Sequence, residues 1–149
     1  MAERTPPARR SDYSAFRTLT TRWNDNDVYG HMNNVIHYAL FDSAVNSFLI
    51  EEGALDIHKG EQVGLVVETH CRYHAEMAFP DVVTAGIRAD RIGNSSVTYG
   101  IGLFRNDSDE AAAEGQFTHV YVDAEARRPK PLGERLRAVV ERISVPSAV

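Results

Sequence analysis

The period of hydrophobic and polar positions changes along the chain, and each change predicts an element. From Ser14 to Trp23 the two classes alternate loosely, with Phe16, Leu19 and Trp23 among threonines and arginines, which predicts a first strand. The polar, acidic run Asn24 to Gly30 ends it. From Asn33 or Asn34, either of which suits a helix cap, the period becomes helical through roughly Glu52, with Gly53 as a stop. Val35, Tyr38, Ala39, Asp42, Val45 and Leu49 follow i, i+3, i+4 spacing, and Leu40, Phe41, Ala44, Phe48 and Ile50 fill much of the remaining circumference. A helix apolar nearly all round is expected to be buried. After a turn at Asp56 to Gly60, strand patterns run over Val63 to Met77, Val82 to Ile92, Ser95 to Phe104 and Ala111 to Val122. In the first of these, Val67, Thr69, Cys71 and Tyr73 share one face and Glu68, His70, Arg72 and His74 the other. A short terminal helix over 133–143 follows, striped by Leu136, Val139, Val140 and Ile143. The order is strand, long buried helix, then four strands with hairpin-length connections. It predicts an α+β domain in which an antiparallel sheet curls around the helix.

Composition narrows this picture. A chain of 149 residues suits one domain, placed at 14–144, with a flexible arm at 1–13 and a tail at 145–149. The net charge of -5 argues against a general nucleic-acid binder, which would carry a basic excess. Cys71 is the only cysteine, so no intrachain disulfide forms, and a reducing compartment fits. The opening MAERTPPARRSDYS has no apolar core, which excludes a secretory signal or membrane span there; a cytoplasmic protein without membrane insertion is expected.

The densest chemistry lies between the first strand and the helix, where Asp25, Asp27, His31, Asn33 and Asn34 fall within ten positions. At a helix N-terminus a carboxylate such as Asp27 is stabilised as an anion, and the same N–H groups polarise a carbonyl. The bland alternative is that Asp25 and Asp27 cap loop donors. His31 suits a hydrogen-bonding support. A calcium loop starting at Asp25 fails, because its fifth and twelfth positions are Tyr29 and Ile36. His70 and His74, even with Glu68, lack a third well-placed ligand, so no metal is expected. Asp42 falls on an apolar stripe of the helix, where it must pair internally or face a cleft. Arg88, Arg91, Ser95, Ser96, Arg127, Arg128 and Lys130 could meet phosphates of a nucleotide-bearing ligand, but taken alone they read first as solvated charges and turn residues. No phosphate loop, GxSxG elbow or Rossmann fingerprint is present.

The stretch RWNDNDVYGHMNNVIHY, 22–38, resembles the D-x-D-x-x-G-H-V-N-N-x-x-Y signature of the hotdog-fold acyl-CoA thioesterases, specifically the 4-hydroxybenzoyl-CoA thioesterase type. The likeness continues through ETHCRY, the turn at Ala75 to Asp81, RIGNSSVTY at 91–99, VYVD and RRPKPL. It implies a five-stranded antiparallel sheet wrapped around the helix, in homodimers or homotetramers with the active site between subunits. It further implies an acyl-CoA substrate and no metal or cofactor. Matched to the motif, Asp27 is the nucleophile or general base, supported by Asp25, His31 and Asn33. Amides near Asn33 and Asn34 hold the carbonyl oxygen, and His37 stands where the family often has tyrosine. Arg88, Arg91, Ser95 and Ser96 are the candidate coenzyme A contacts. The segment A-L-F-D42-S-A is also similar to a second clade, the phenylacetyl-CoA thioesterase type, whose acid lies on the helix, so Asp42 is the alternative carboxylate. That clade has His-Gly-Gly where this chain has H31-M-N-N. Two other readings remain: a non-catalytic acyl-CoA-binding protein, and a hotdog enoyl-CoA hydratase or dehydratase using Asp27 and His31.

Overall fold

A computed structural model describes residues 5–56 and 59–145. The first four positions of the arm, Ile57 and His58 of the turn, and 146–149 of the tail lie outside the described residues. The elements are β1 (Ala15–Thr20), α1 (Ile36–Glu51), β2 (Gln62–Tyr73), β3 (Val82–Ile92), β4 (Ser96–Arg105), β5 (Ala113–Asp123) and α2 (Glu134–Arg142). The strands form one antiparallel sheet in the order β1-β3-β4-β5-β2. This is the expected five-stranded sheet around a long helix, with a short helix at the C-terminal end.

Alternation places one face of the sheet against α1. Val83, Ala85 and Ile87 of β3, and Val97, Tyr99, Ile101 and Leu103 of β4, are buried with Phe41, Ala44, Val45 and Phe48 of the helix. Burying these side chains is the main driving force of the fold. Gly115 of β5 makes room for the helix: a Cβ there would lie 2.7 Å from the Phe41 ring and 2.1 Å from the His70 carbonyl oxygen. The far end of α1 is held by Arg135, whose Nε and Nη2 donate to the Glu52 carbonyl at 2.9 and 2.6 Å. An exposed helix-terminal carbonyl is thereby satisfied.

The helix departs from expectation in two ways. It starts at Ile36, after a turn through Asn33 to Val35, and neither asparagine is its cap residue. Nor is it buried all round. Asp42 is exposed and accepts a hydrogen bond from Asn46 Nδ2 at 2.9 Å, so no unpaired charge sits in the core.

The outer face of the sheet is covered in part by residues 8–13. Ala8 N–H donates to Glu114, a single 3-10 turn spans Arg10–Asp12, and the Tyr13 ring lies in a trough over Gly86 and Gly102. These glycines are register partners on β3 and β4, and a Cβ on either would come within 2.6 Å of that ring. Tyr13 also meets Phe104 edge to face at 5.8 Å.

β2 forms one edge of the sheet. Its register with β5 shifts between Val66 and Glu68, and Leu65, Val66 and Val67 are exposed there. The last residue of β2 reaches the start of α1, where Tyr73 Oη donates to the Asn34 carbonyl at 2.5 Å.

Candidate active site

The loop between β1 and α1 is built from short-range hydrogen bonds. Asp25 is buried and caps a 3-10 turn at Trp23–Asp25: its carboxylate accepts from Arg22 N–H at 2.8 Å and from Arg22 Nε and Nη2 at 3.1 and 2.9 Å. The Asp25 carbonyl accepts from Asn33 N–H at 2.9 Å. Between these anchors the chain folds back. Asp27 N–H donates to the His31 carbonyl at 3.0 Å, Asn26 bridges to Met32, and Met32 N–H donates to the Met77 carbonyl at 2.7 Å. The reversal closes at Gly30, whose N–H donates to the Asp27 carbonyl at 3.1 Å with φ at +86. Only glycine adopts that conformation without strain.

Asp27 Oδ1 accepts the Tyr29 N–H at 2.9 Å, while Oδ2 has no hydrogen bond among the described residues. The carboxylate borders an open cleft of about 790 Å³ with Asn33, Trp23, Tyr29 and Val35. Its apolar rim is strongly exposed: Trp23 77%, Val28 94%, Tyr29 81% and Val35 63%. The Trp23 ring meets Phe79 edge to face at 6.1 Å.

The turn into α1 uses most of its amides. Asn33 N–H goes to Asp25, Val35 N–H to Asn33 Oδ1 at 3.1 Å, and Ile36 N–H to the Asn33 carbonyl at 2.9 Å. The Asn34 N–H forms no hydrogen bond among the described residues. Asn34 itself borders a second, smaller cavity of about 270 Å³, together with His31, His37, Tyr73, His74 and Glu76, and with Met32 and Met77 as buried apolar lining. His37 stacks edge-on to Tyr73 at 4.8 Å. Burial pushes its imidazole below the ordinary value, opposed by the carbonyls of Asn34 and Asn33. His31 Nε2 lies 3.5 Å from Glu76, and His74 Nε2 lies 3.1 Å from Glu114.

The five residues of the opening cluster therefore meet at the helix start but divide between two cavities. Asp27 and Asn33 border the larger; His31, Asn34 and His37 border the smaller. Asp25 serves as the loop's internal brace. Asp42 borders neither cavity. The four candidate coenzyme A contacts are elsewhere in the single chain. Arg88 is held by Asp90 at 2.7 Å and lies over Tyr13, Arg91 borders an outer-face groove with Glu68 and His70, and Ser95 and Ser96 sit at the β3–β4 turn. His70, on that outer face, pairs with Gln116 at 3.1 Å.

Tyr73, His74 and Glu76 were missed as cavity residues. Tyr73 carried a signal, since it ends the same face of β2 as Cys71, which packs on the core. Phe41 and Phe48 are core residues, and Tyr38 packs on Phe41 at 6.0 Å.

A family model described as the thioesterase-like superfamily matches residues 21–140. The PA5185 protein from Pseudomonas aeruginosa strain PAO1 is similar over 96% of this chain and 100% of its own, with 45% identity and a TM-score of 0.92. Slr0204 from Synechocystis, a 1,4-dihydroxy-2-naphthoyl-CoA thioesterase, is similar in fold over 84% of this chain and 93% of its own, with 16% identity and a TM-score of 0.76. Among curated proteins, uncharacterized protein YsmA of Bacillus subtilis (strain 168) is 23% identical over 60% of this chain, and the match spans 60% of YsmA's length.

Proposed function

Since the chain belongs to the thioesterase-like superfamily, we propose that it hydrolyses an acyl-CoA thioester to the free acid and coenzyme A, with Asp27 as nucleophile or general base. The observation that carries this reading is the pairing, on one short loop, of an unspent carboxylate oxygen at Asp27 with an unspent amide at Asn34. The first supplies the attack and the second a donor for the oxyanion. Along the nucleophilic route, Asp27 Oδ2 adds to the thioester carbon, and the oxyanion collapses with loss of the coenzyme A thiolate. Water then hydrolyses the mixed anhydride. Along the general-base route, Asp27 takes a proton from the attacking water and the same thiolate leaves. An alkyl thiol with a pKa near ~8.5 is a good leaving group, so neither route calls on a metal or cofactor.

The name of Slr0204 supports an acyl-CoA substrate. The open β2 edge and the exposed apolar rim of the larger cleft support pairing of two or more copies, with the partner completing the site at their boundary. Asp42, exposed and bordering neither cavity, ranks behind Asp27.

The test is thiol release from acyl-CoAs running from short aliphatic through long-chain to aromatic. Asp27→Asn is expected to lower kcat by about 10²–10⁴-fold with melting unchanged, and Asp42→Asn to stay within about 3-fold of wild type. Undiminished hydrolysis by Asp27→Asn removes that carboxylate from the mechanism. Tight acyl-CoA binding without turnover favours a binding protein instead, and conversion of an enoyl-CoA without thiol release favours a hydratase.

A further inference from the structure

The amide at Asn34 stands in a turn that is pinned on both sides of it. Its own peptide unit is held at the opposite end, where the Asn33 carbonyl accepts the Ile36 N–H at 2.9 Å. The next peptide unit is held twice: the Val35 N–H donates to Asn33 Oδ1 at 3.1 Å, and the Asn34 carbonyl accepts from Tyr73 Oη at 2.5 Å. The first two of these bonds are local and fix the shape of the turn. The third comes from the last residue of β2, 39 positions away, and fixes where that shape sits relative to the sheet.

Tyr73 is well placed to keep that tie. Burial pushes its phenol up, so the hydroxyl holds its proton and remains a donor at neutral pH. Its ring meets His37 edge-on at 4.8 Å, and the His37 imidazole lies in turn against the carbonyls of Asn34 and Asn33. Strand, helix and turn thereby close on one another around an N–H that forms no hydrogen bond among the described residues. A donor to an oxyanion works by being fixed beforehand at the place where the charge develops. A displacement on the order of 1 Å is enough to cost rate.

We infer that Tyr73 is a positioning residue for the hydrolytic step: its hydroxyl ties the turn at Asn33 to Val35 to β2 and so holds the Asn34 N–H where the oxyanion forms. This rests on the thioesterase reading above and adds to it the residue that orients the donor. Tyr73 acts through the Asn34 backbone. Because the oxyanion exists only along the reaction and not in the bound substrate, losing the tie lowers kcat and spares KM.

The experiment compares wild type with Tyr73→Phe, which keeps the ring against His37 and removes one oxygen. Both are assayed with the substrate of the acyl-CoA panel that wild type turns over fastest. In the variant kcat is expected to fall about 10-fold, which is what one hydrogen bond of ordinary strength is worth in rate, with KM within about 2-fold. Two further readouts do not move if Tyr73 is merely structural. In ¹H–¹⁵N correlation spectra of the ligand-free proteins, the Asn34 amide is expected to give one sharp resonance in wild type and a broadened or split one in the variant. A ketone analogue of the same substrate, with CH2 in place of sulfur and ¹³C at the carbonyl, is expected to show a lower carbonyl stretching frequency when bound to wild type than to Tyr73→Phe. Equal kcat in the two proteins, or a loss carried wholly by KM, overturns the inference and leaves the thioesterase reading standing. An Asn34 resonance or a carbonyl stretch that is the same in both proteins also overturns it. Wild type that releases no thiol from any acyl-CoA removes the thioesterase reading itself, and the role of Tyr73 with it.

Discussion

Replacing Asp25 by alanine tests whether the loop owes its shape to that buried carboxylate. The side chain is 3% exposed and accepts three hydrogen bonds, one from the Arg22 N–H and two from the Arg22 guanidinium. Losing a side-chain cap on a backbone donor costs about 1 kcal/mol. The guanidinium is 67% exposed, so solvent screening holds the ion pair to at most about 1 kcal/mol. The sum is about 2 kcal/mol, and for 149 residues each kcal/mol moves Tm by about 2–4 °C. Asp25→Ala is therefore expected to melt about 4–8 °C below wild type by differential scanning calorimetry. Asp25→Asn keeps a carbonyl oxygen for the Arg22 N–H and should lose about half as much. Asp27→Asn, whose side chain makes a single bond to the Tyr29 N–H, should barely move Tm. An alanine variant melting within about 1 °C of wild type would refute the brace, because even the cap alone is worth more than that.

Acid lability should trace in part to His119. This residue is buried on β5, with Nδ1 3.2 Å from the Tyr121 hydroxyl, and burial lowers its pKa to about 4 against the nearby negative Asp42, which raises it. The unfolded imidazole titrates at its ordinary 6.5, so the unfolded state binds the extra proton between those values. Stability is then whole above pH 6.5 and is lost as pH falls toward 4, by on the order of 3 kcal/mol. Urea unfolding across that window should show a flatter slope in His119→Phe, and an unchanged slope would assign the acid limb to other groups. Two glycines should fail for different reasons. Gly115→Ala drives a methyl into backbone 2.1 Å away and should cost about 3 kcal/mol or more in urea unfolding, whereas Gly30→Ala meets no atom within 4 Å and should cost only the about 1–2 kcal/mol of its left-handed backbone. A larger loss at Gly30 than at Gly115 would reverse that account.

Local periodicity is enough for β3 but overruns two other strands: β1 ends at Thr20 and not at Trp23, which opens a 3-10 turn, and β2 ends at Tyr73 and not at Met77. The segment expected at Val82 to Ile92 is β3 residue for residue, because its alternation is reinforced by one buried face. The helix start differs from expectation, since the spacing of Asn33 and Asn34 suits a cap. In the structure the Asn33 side chain is already spent on the Val35 N–H, and helical geometry waits until Ile36. Asp42 shares its helical spacing with apolar residues yet is exposed, because periodicity says which residues share a face and not which faces the sheet covers. The division of the opening cluster between two cavities depends on Tyr73 reaching Asn34 across 39 positions, a contact no window of sequence contains. The cover over the outer face has a signal in the sequence. Glycines at 86 and 102 in the middle of strands are a sign that something approaches closely, and Tyr13 is what approaches.

The sheet ends in two edges of unequal length, six residues in β1 and twelve in β2. That inequality bears on how copies associate. Long edge against long edge is a two-fold arrangement that uses up both and stops. Long against short leaves half of β2 unmatched and an open edge at each end, from which a chain of molecules continues to grow. The closed pairing would offer twice the main-chain ladder of the open one, and the register shift between Val66 and Glu68 lies on the edge it would use.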